Sequence, residues 1–142
     1  MAREAAGLNG GLVENLEAAI LEGAALMDQH SVEQGLATAQ HAIGAAEQKS
    51  QQYLAAQGRL TLAEALWRNR QPERADKFAR SALAFFDPRR IWEAVWRCRR
   101  LSLGADQIAA AKEALAELER IWPAEQVRSY LARPDLKELA LL

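Results

Sequence analysis

The sequence predicts an all-α protein built from antiparallel helix hairpins, and three observations support that fold class. Small residues recur along the chain at a fixed interval, as the close packing of helices requires. Half of the residues are hydrophobic, but only 6% are aromatic and many of the others are alanine, which suits thin helix-on-helix packing. The sequence lacks stretches in which Val, Ile or Thr alternates with polar residues, so strands are not supported.

The spacing of the small residues defines an internal repeat. Four of them recur 40 positions later, so that Gly23, Gly35, Ala39 and Ala42 are followed by Ala63, Ala75, Ala79 and Ala82. A looser third copy lies 35 residues further on, at Cys98, Ala110 and Ala114. Self-similarity at such a period is typical of a helical solenoid. We therefore expect one domain over residues 1–142, made of three helix pairs and a terminal element.

The first pair is expected over about residues 12–47. Asn9-Gly10-Gly11 is predicted to open its first helix, whose apolar stripe holds Leu12, Leu16, Ile20, Gly23 and Met27. His30-Ser31 breaks the pattern, and Ser31 with Gln34 forms a plausible capping box for the second helix.

The second pair is expected over about residues 50–86. Its first helix carries Tyr53, Ala56, Leu60, Ala63 and Trp67 at helical spacing. A turn at residues 69–72 follows, and Pro72 fits the first position of the next helix because its missing N–H would be unsatisfied there anyway. Phe78, Ala82 and Phe85 are expected on the core face of that helix.

The third pair is expected over about residues 88–121, with a cap over residues 123–142. Asp87-Pro88 is predicted to cap and begin the fifth helix, and Asp106 is predicted to cap the sixth. Pro123 is expected to start a short seventh helix and Pro134 an eighth.

Composition narrows the class of protein. The net charge is −1, from 18 basic and 19 acidic residues, so no overall field attracts the chain to nucleic acid or membrane. No run approaches the ~20 apolar residues that span a bilayer. The single cysteine, Cys98, excludes an intramolecular disulfide. These features predict a cytoplasmic protein without membrane association.

The small-residue pattern resembles the tetratricopeptide repeat. In the second pair, Leu62-Ala63, Leu66, Ala75, Ala79 and Ala82 match consensus positions of that family, and Pro88 falls one place beyond its proline. The same positions hold Gly23, Leu26, Gly35, Ala39 and Ala42 in the first pair, and Cys98, Leu101, Ala110 and Ala114 in the third. The resemblance covers residues 12–122. The sequence departs from the family where Ala19, Arg59 and Ala94 replace its tryptophan, and where its repeat spacing is not kept.

This resemblance implies a short right-handed superhelix with a C-terminal capping helix. It also implies a non-enzymatic scaffold or sensor module that binds a protein or peptide in the groove lined by the first helix of each pair. Mapped onto this chain, the groove residues are Met27, Asp28, Glu64, Trp67, Arg68, Trp92, Trp96 and Arg99. The alternative for the two tryptophans Trp92 and Trp96 is that they fill the core between the second and third pairs.

The tail resembles the closing element of repeat arrays in large bacterial signalling proteins. That resemblance, over residues 124–139, implies that the chain is the C-terminal part of a longer regulatory protein. Leu136, Leu139, Leu141 and Leu142 also give the tail an apolar end, so a homo-oligomer is a further expectation.

Catalytic chemistry is not predicted, because converging polar groups are scarce. His30 and His41 lack a matching carboxylate spacing, so neither a metal site nor a cofactor is expected. Cys98 has arginines beside it, which can lower a thiol pKa. It also occupies a small-residue packing position, where a buried cysteine is common, and we favour that interpretation.

Arginine and tryptophan are concentrated in residues 88–102. Five arginines are expected to share one helix there with a single acid, Glu93. Arginine interleaved with aromatic residues can contact phosphate and stack on bases, so nucleic-acid binding through this segment is the alternative function. The balanced charge of the chain argues against nucleic acid as a partner.

Overall fold

A computed structural model describes the backbone of residues 2–141 and the side chains of residues 11–139. Within that range the chain is all-α, as predicted, and it forms eight helices. Their bounds are α1 Ala2–Asp28, α2 Val32–Gln48, α3 Gln52–Arg68, α4 Pro72–Phe86, α5 Trp92–Leu101, α6 Ala105–Ile121, α7 Ala124–Leu131 and α8 Pro134–Leu141.

The first six helices pack as three sequential antiparallel pairs. α1 packs against α2, α3 against α4, and α5 against α6. The odd-numbered helices also contact one another in order, α1 with α3 and α3 with α5. Their outer sides therefore form one face, on which each pair contributes its first helix.

One backbone turn is repeated between the first four helices. Its central residue has a left-handed φ: 70° at His30, 59° at Ser50 and 62° at Arg70. The next residue donates its N–H to the carbonyl oxygen five residues back, from Ser31 to Leu26 O at 2.9 Å, from Gln51 to Ala46 O at 2.8 Å and from Gln71 to Leu66 O at 2.9 Å. These bonds define the Schellman motif, which satisfies carbonyls at a helix end.

The repeated turn also starts the following helix. The carbonyl oxygens of Ser31, Gln51 and Gln71 each accept an N–H from the residue four positions ahead, at 2.9–3.0 Å. The same short segment therefore ends one helix and begins the next. Arg90, with a φ of 54°, continues the 20-residue spacing of the left-handed positions before α5. The 40-residue period of the sequence thus corresponds to two units of 20 residues.

The repeated small residues lie where paired helices cross. A Cβ added to Gly23 would lie 2.6 Å from the carbonyl oxygen of Gly35 and 2.9 Å from the Cβ of Ala39. The equivalent residues of the second pair are fully buried alanines, and Cys98 and Ala114 are buried in the third. Ala110 is only half-buried, and its neighbour Ala111 is buried. The crossings therefore allow near-contact of the two backbones.

The core consists of two hydrophobic clusters. One lies mainly between α1, α2 and the inner sides of α3 and α4, and the other extends from α3 and α4 through α5 and α6 to the tail. Trp67 and Phe78 pack against both clusters, so the core is continuous across the second pair.

Two predicted helix starts are wrong. α1 begins at Ala2, so Asn9-Gly10-Gly11 lies within a helix and does not open one. α5 begins at Trp92, because residues 87–90 form a turn and Arg90 has a left-handed backbone. Consequently Arg97, Arg99 and Arg100 lie on α5, whereas the other two arginines of the segment precede it.

Three predicted caps are also wrong, whereas two of the four predicted proline starts are confirmed. Ser31 makes no side-chain bond to the start of α2, and Asp87 ends α4. Gly104, with a φ of 118°, occupies the N-cap position of α6, so Asp106 lies in its first turn. Pro72 and Pro134 begin α4 and α8 as predicted, whereas Pro123 occupies the N-cap position directly before α7 and Pro88 lies in the turn before α5.

The predicted exposed apolar end of the tail is wrong for two of its four leucines. Leu136 and Leu139 are buried in the second cluster, because α8 folds back onto the helix pairs. The side chains of Leu141 and Leu142 lie outside the described residues.

We expect Gly23→Ala to lower the free energy of unfolding by about 1–3 kcal/mol, because the added methyl group overlaps the backbone of α2. Gly44→Ala is the matched control, since a Cβ there meets nothing within 4 Å. It should stabilise the protein by about 0.5–1 kcal/mol. Urea unfolding followed by circular dichroism measures both values, and equal effects would contradict the close crossing.

Candidate functional site

The odd-numbered helices form a cleft on their shared face. It has a volume of about 220 Å³ and lies between the middle of α1, the first half of α3 and the start of α5. We call it the α1/α3/α5 cleft. Its lining residues are Glu17, Ile20, Leu21, Tyr53, Leu54, Gln57, Gly58, Leu60, Thr61, Phe86, Glu93, Ala94 and Arg97.

Two large hydrophobic side chains stand exposed at the edge of this cleft. Leu21 is 62% exposed and Tyr53 is 49% exposed, although their neighbours Ile20 and Leu54 are buried. The Tyr53 ring makes edge-on contacts with Phe85 and Phe86, with centroids 5.8 and 5.9 Å away. Those contacts fix the ring beside the cleft and leave part of its surface to solvent.

A polar cluster forms one wall of the cleft. The Arg97 guanidinium donates to Glu93 Oε1 at 2.8 Å and to Glu64 Oε1, so one cation bridges carboxylates from α3 and α5. Burial lowers the pKa of Arg97, but the two carboxylates outweigh it and raise that pKa. Burial raises the pKa of Glu64, an effect that Arg97 opposes. Arg97 therefore stays charged and is held by two acids.

The same cluster connects the tail to the helix pairs. The Tyr130 hydroxyl on α7 donates to Glu93 Oε1 at 2.7 Å and accepts from Trp96 Nε1 at 3.1 Å. Burial and the Glu93 carboxylate raise the pKa of Tyr130, so the hydroxyl keeps its proton. On α8, the carbonyl oxygen of Leu139 accepts from Arg100 Nε at 2.8 Å. The tail thus covers Trp96, one of the three residues of α5 that the resemblance assigns to the groove.

The structure places two of the predicted groove residues in the core. Met27 is fully buried between α1 and α2, where it packs close to Gly35. Trp96 is 1% exposed and lies beneath Tyr130. Neither side chain reaches the surface, because α2 covers Met27 on α1 and the tail covers Trp96 on α5. For Trp96, the core-filling alternative holds.

Four other predicted residues lie near the C-terminal ends of α1 and α3. Asp28 accepts from Arg68 Nη2 at 3.1 Å and from Asn69 Nδ2 at 3.0 Å, which ties the first pair to the second. Glu64, Trp67 and Arg68 line a recess of about 170 Å³ that α8 closes from the other side. These residues are brought together, but the chain's own tail is their neighbour.

Trp92 and Arg99 lie at a third place. They line a recess of about 440 Å³ between α5 and α6, together with Asp87, Glu113 and Glu117. Arg99 donates to Gln107 Oε1 at 3.1 Å and to Asp87 Oδ2 at 3.3 Å. The eight predicted residues therefore do not form one groove, because successive residues of α5 face different neighbours.

Cys98 is fully buried in the third pair. Burial raises the pKa of its thiol to about 12, despite the neighbouring Arg97. A protonated, enclosed thiol is a packing residue and a poor nucleophile. Among the described side chains, no group of three or more His, Cys, Asp or Glu residues is placed to hold a metal ion.

Sequence reasoning missed most of the cleft. The helical spacing predicts Tyr53 on the apolar stripe of its helix. It predicts no functional role for Leu21 or Glu17. One signal was available: Leu21 stands beside, not on, the apolar stripe of α1, next to acidic residues. The i,i+4 spacing of Glu93 and Arg97 indicates an ion pair, but the contact with Glu64 has no signal in the sequence, since that residue lies on another helix.

Comparisons with protein-family models, with curated proteins and with solved structures gave no match to this chain. The class that the fold itself defines is an all-α protein of sequential antiparallel helix hairpins. None of the described helices is both long and apolar enough to cross a membrane.

We expect Tyr130→Phe to lower the free energy of unfolding by about 1–3 kcal/mol, because it leaves the buried Trp96 Nε1 without an acceptor. Tyr53→Phe removes an exposed hydroxyl and should change stability by less than about 0.5 kcal/mol. Urea unfolding monitored by tryptophan fluorescence compares the two. Similar small values would show that the hydroxyl does not hold the tail.

We expect Cys98 in the folded protein to react with Ellman's reagent at least about a hundredfold more slowly than in the urea-unfolded chain at about pH 8. The raised pKa leaves little thiolate, and burial blocks access to what remains. The same pKa shift stabilises the fold below the ordinary thiol pKa, and that contribution is lost as the pH rises from 9 towards 12. Rapid native-state labelling would refute the first point, and a free energy of unfolding that does not fall between pH 9 and 12 would refute the second.

Proposed function

We propose that this chain is a tetratricopeptide-like module that binds a peptide or a partner protein in the α1/α3/α5 cleft. In this proposal the three pairs form a short right-handed superhelix, and α7 and α8 cap it. The regular turn supports the superhelix, since a constant connection gives each pair the same relation to the next.

One observation carries the binding function. The first helices of all three pairs meet at a single cleft that keeps Leu21 and Tyr53 exposed at its edge. Exposed apolar groups beside a concave, partly polar wall are typical of recognition surfaces. In the tetratricopeptide family the same helices line the ligand groove, so the resemblance and the geometry agree on the location. The proposal moves the site from α5 towards α1.

The alternative of nucleic-acid binding receives no support from the arginines of residues 88–102. Arg89 donates to the Phe85 carbonyl at 2.8 Å and covers the Phe85 ring at 3.9 Å from its centroid. Arg97, Arg99 and Arg100 are bonded to Glu93, Gln107 and Leu139. Each of these four arginines commits at least one donor to a partner within the chain, which leaves fewer donors for phosphate, and the fifth, Arg90, is exposed on the turn before α5.

The wider role also stays a proposal. A cytoplasmic scaffold or sensor within a larger bacterial regulatory protein fits a binding module of this kind, and that suggestion rests on the resemblance of the tail alone.

A photo-crosslinking amino acid at position 53 tests the proposed function. In cells that express the chain, we expect an adduct with a partner from position 53 and none from position 121 on α6. Ile121 is 61% exposed, so its exposure matches that of the cleft residues without lying in the cleft. Adding Leu21→Glu should abolish the adduct while leaving the fold intact, because Leu21 is a surface residue.

Adducts of equal yield from both positions, or a position-53 adduct that survives Leu21→Glu, would refute the assignment of the cleft. Unchanged circular dichroism and thermal unfolding of each variant would show that loss of the adduct reflects lost binding and not unfolding. An adduct between two copies of the chain would instead support the homo-oligomer.

A further inference from the structure

We propose that the occupant of the α1/α3/α5 cleft is a peptide segment in which a large apolar side chain stands next to lysine or arginine. This inference rests on the proposed function and adds the chemistry of the partner. It comes from the shape of the cleft and from an imbalance of charge around it.

The cleft is large enough for one bulky side chain. Its volume is about 220 Å³, and a cavity of about 150 Å³ already accommodates a benzene ring. The inner wall is apolar, with Ile20, Leu54, Leu60 and Phe86 all buried. The exposed Leu21 and Tyr53 add contact area at the rim. An aromatic or long aliphatic side chain fits this environment.

The first helix pair supplies an excess of negative charge. Residues 11–48 contain six acidic residues and neither lysine nor arginine. Three of these acids form ion pairs with the second pair: Asp28 with Arg68, Glu33 with Arg74, and Glu47 with Arg59. The described side chains include no ion-pair partner for the other three, Glu14, Glu17 and Glu22.

Two of those three acids lie on the side of α1 that borders the cleft. Glu14, Glu17 and Leu21 are spaced by three and four residues, so they share one face of the helix. Glu17 lines the cleft itself. Glu22 lies on a different face and outside the cleft lining. A cation bound beside Leu21 would therefore meet carboxylates that no described group neutralises.

The opposite wall does not offset this charge. Arg97 is the one base among the described cleft residues, and Glu64 and Glu93 both bind it. The formal charges of the three groups sum to −1. Glu93 uses Oε1 for both Arg97 and Tyr130, which leaves Oε2 to accept a bond from a ligand. An acidic partner would be repelled from both walls, whereas a basic one would be attracted to both.

Selection of peptides on the folded full chain tests this inference. A phage-displayed library of random linear peptides is selected on the immobilised protein, and enriched peptides are synthesised for binding measurements. We expect a shared pattern of a large apolar residue beside lysine or arginine, with binding weakened by salt. Glu17→Lys should reduce affinity by about fivefold or more, and the matched control Glu22→Lys should change it little.

The failures of the two proposals are distinguishable. Enriched peptides that need Leu21 but are acidic or uncharged, or that bind Glu17→Lys and Glu22→Lys alike, overturn the charge inference and leave the cleft as the binding site. Peptides that bind Leu21→Glu as well as the parent protein, or no enrichment at all, overturn both. Self-association that depends on Leu21 also overturns the inference, because the occupant would then be a second copy.

Discussion

Close approach of the two helices within each pair is the constraint on which the other features depend. At Gly23 and Gly35 the backbones of α1 and α2 come so near that even one methyl group would overlap the facing carbonyl. The second pair uses alanines at the same places. Because the two helices of a pair lie close together, mainly alanine and leucine fill the space between them. The first helices of successive pairs lie next to one another. That adjacency creates the shared face and its cleft.

The buried polar cluster has a different role, since it connects elements that are far apart in sequence. Arg97 on α5 is joined to α3 by the Glu64 carboxylate and is held within α5 by Glu93, and Tyr130 joins α7 to α5 through Glu93 and Trp96. A buried ion pair adds little net stability compared with apolar packing, but burying one of its charges without the partner is strongly destabilising. The cluster therefore favours one position of the tail, and it divides the face of the odd-numbered helices into a covered part and an open part.

The division of charge follows from how the pairs are joined. Asp28, Glu33 and Glu47 on the first pair meet arginines of the second, so these acids serve the contact between pairs. The acids on the outer side of α1 have no such neighbour among the described residues. A chain with a net charge of −1 can thus carry a local acidic surface, because residues 11–48 contain six acidic residues and neither lysine nor arginine.

Sequence alone determined the fold class, the 40-residue period and the burial of Cys98, since all three follow from local spacing of small residues. It gave the approximate extent of each pair but misplaced the start of α5, because the left-handed turn at Arg90 has no glycine to signal it. Only the tertiary structure decided which surface stays open. Tryptophan and methionine are common in binding surfaces, yet Tyr130 covers Trp96 and α2 covers Met27. Exposure depends on which distant segment packs above a residue, and helical periodicity carries no information about that.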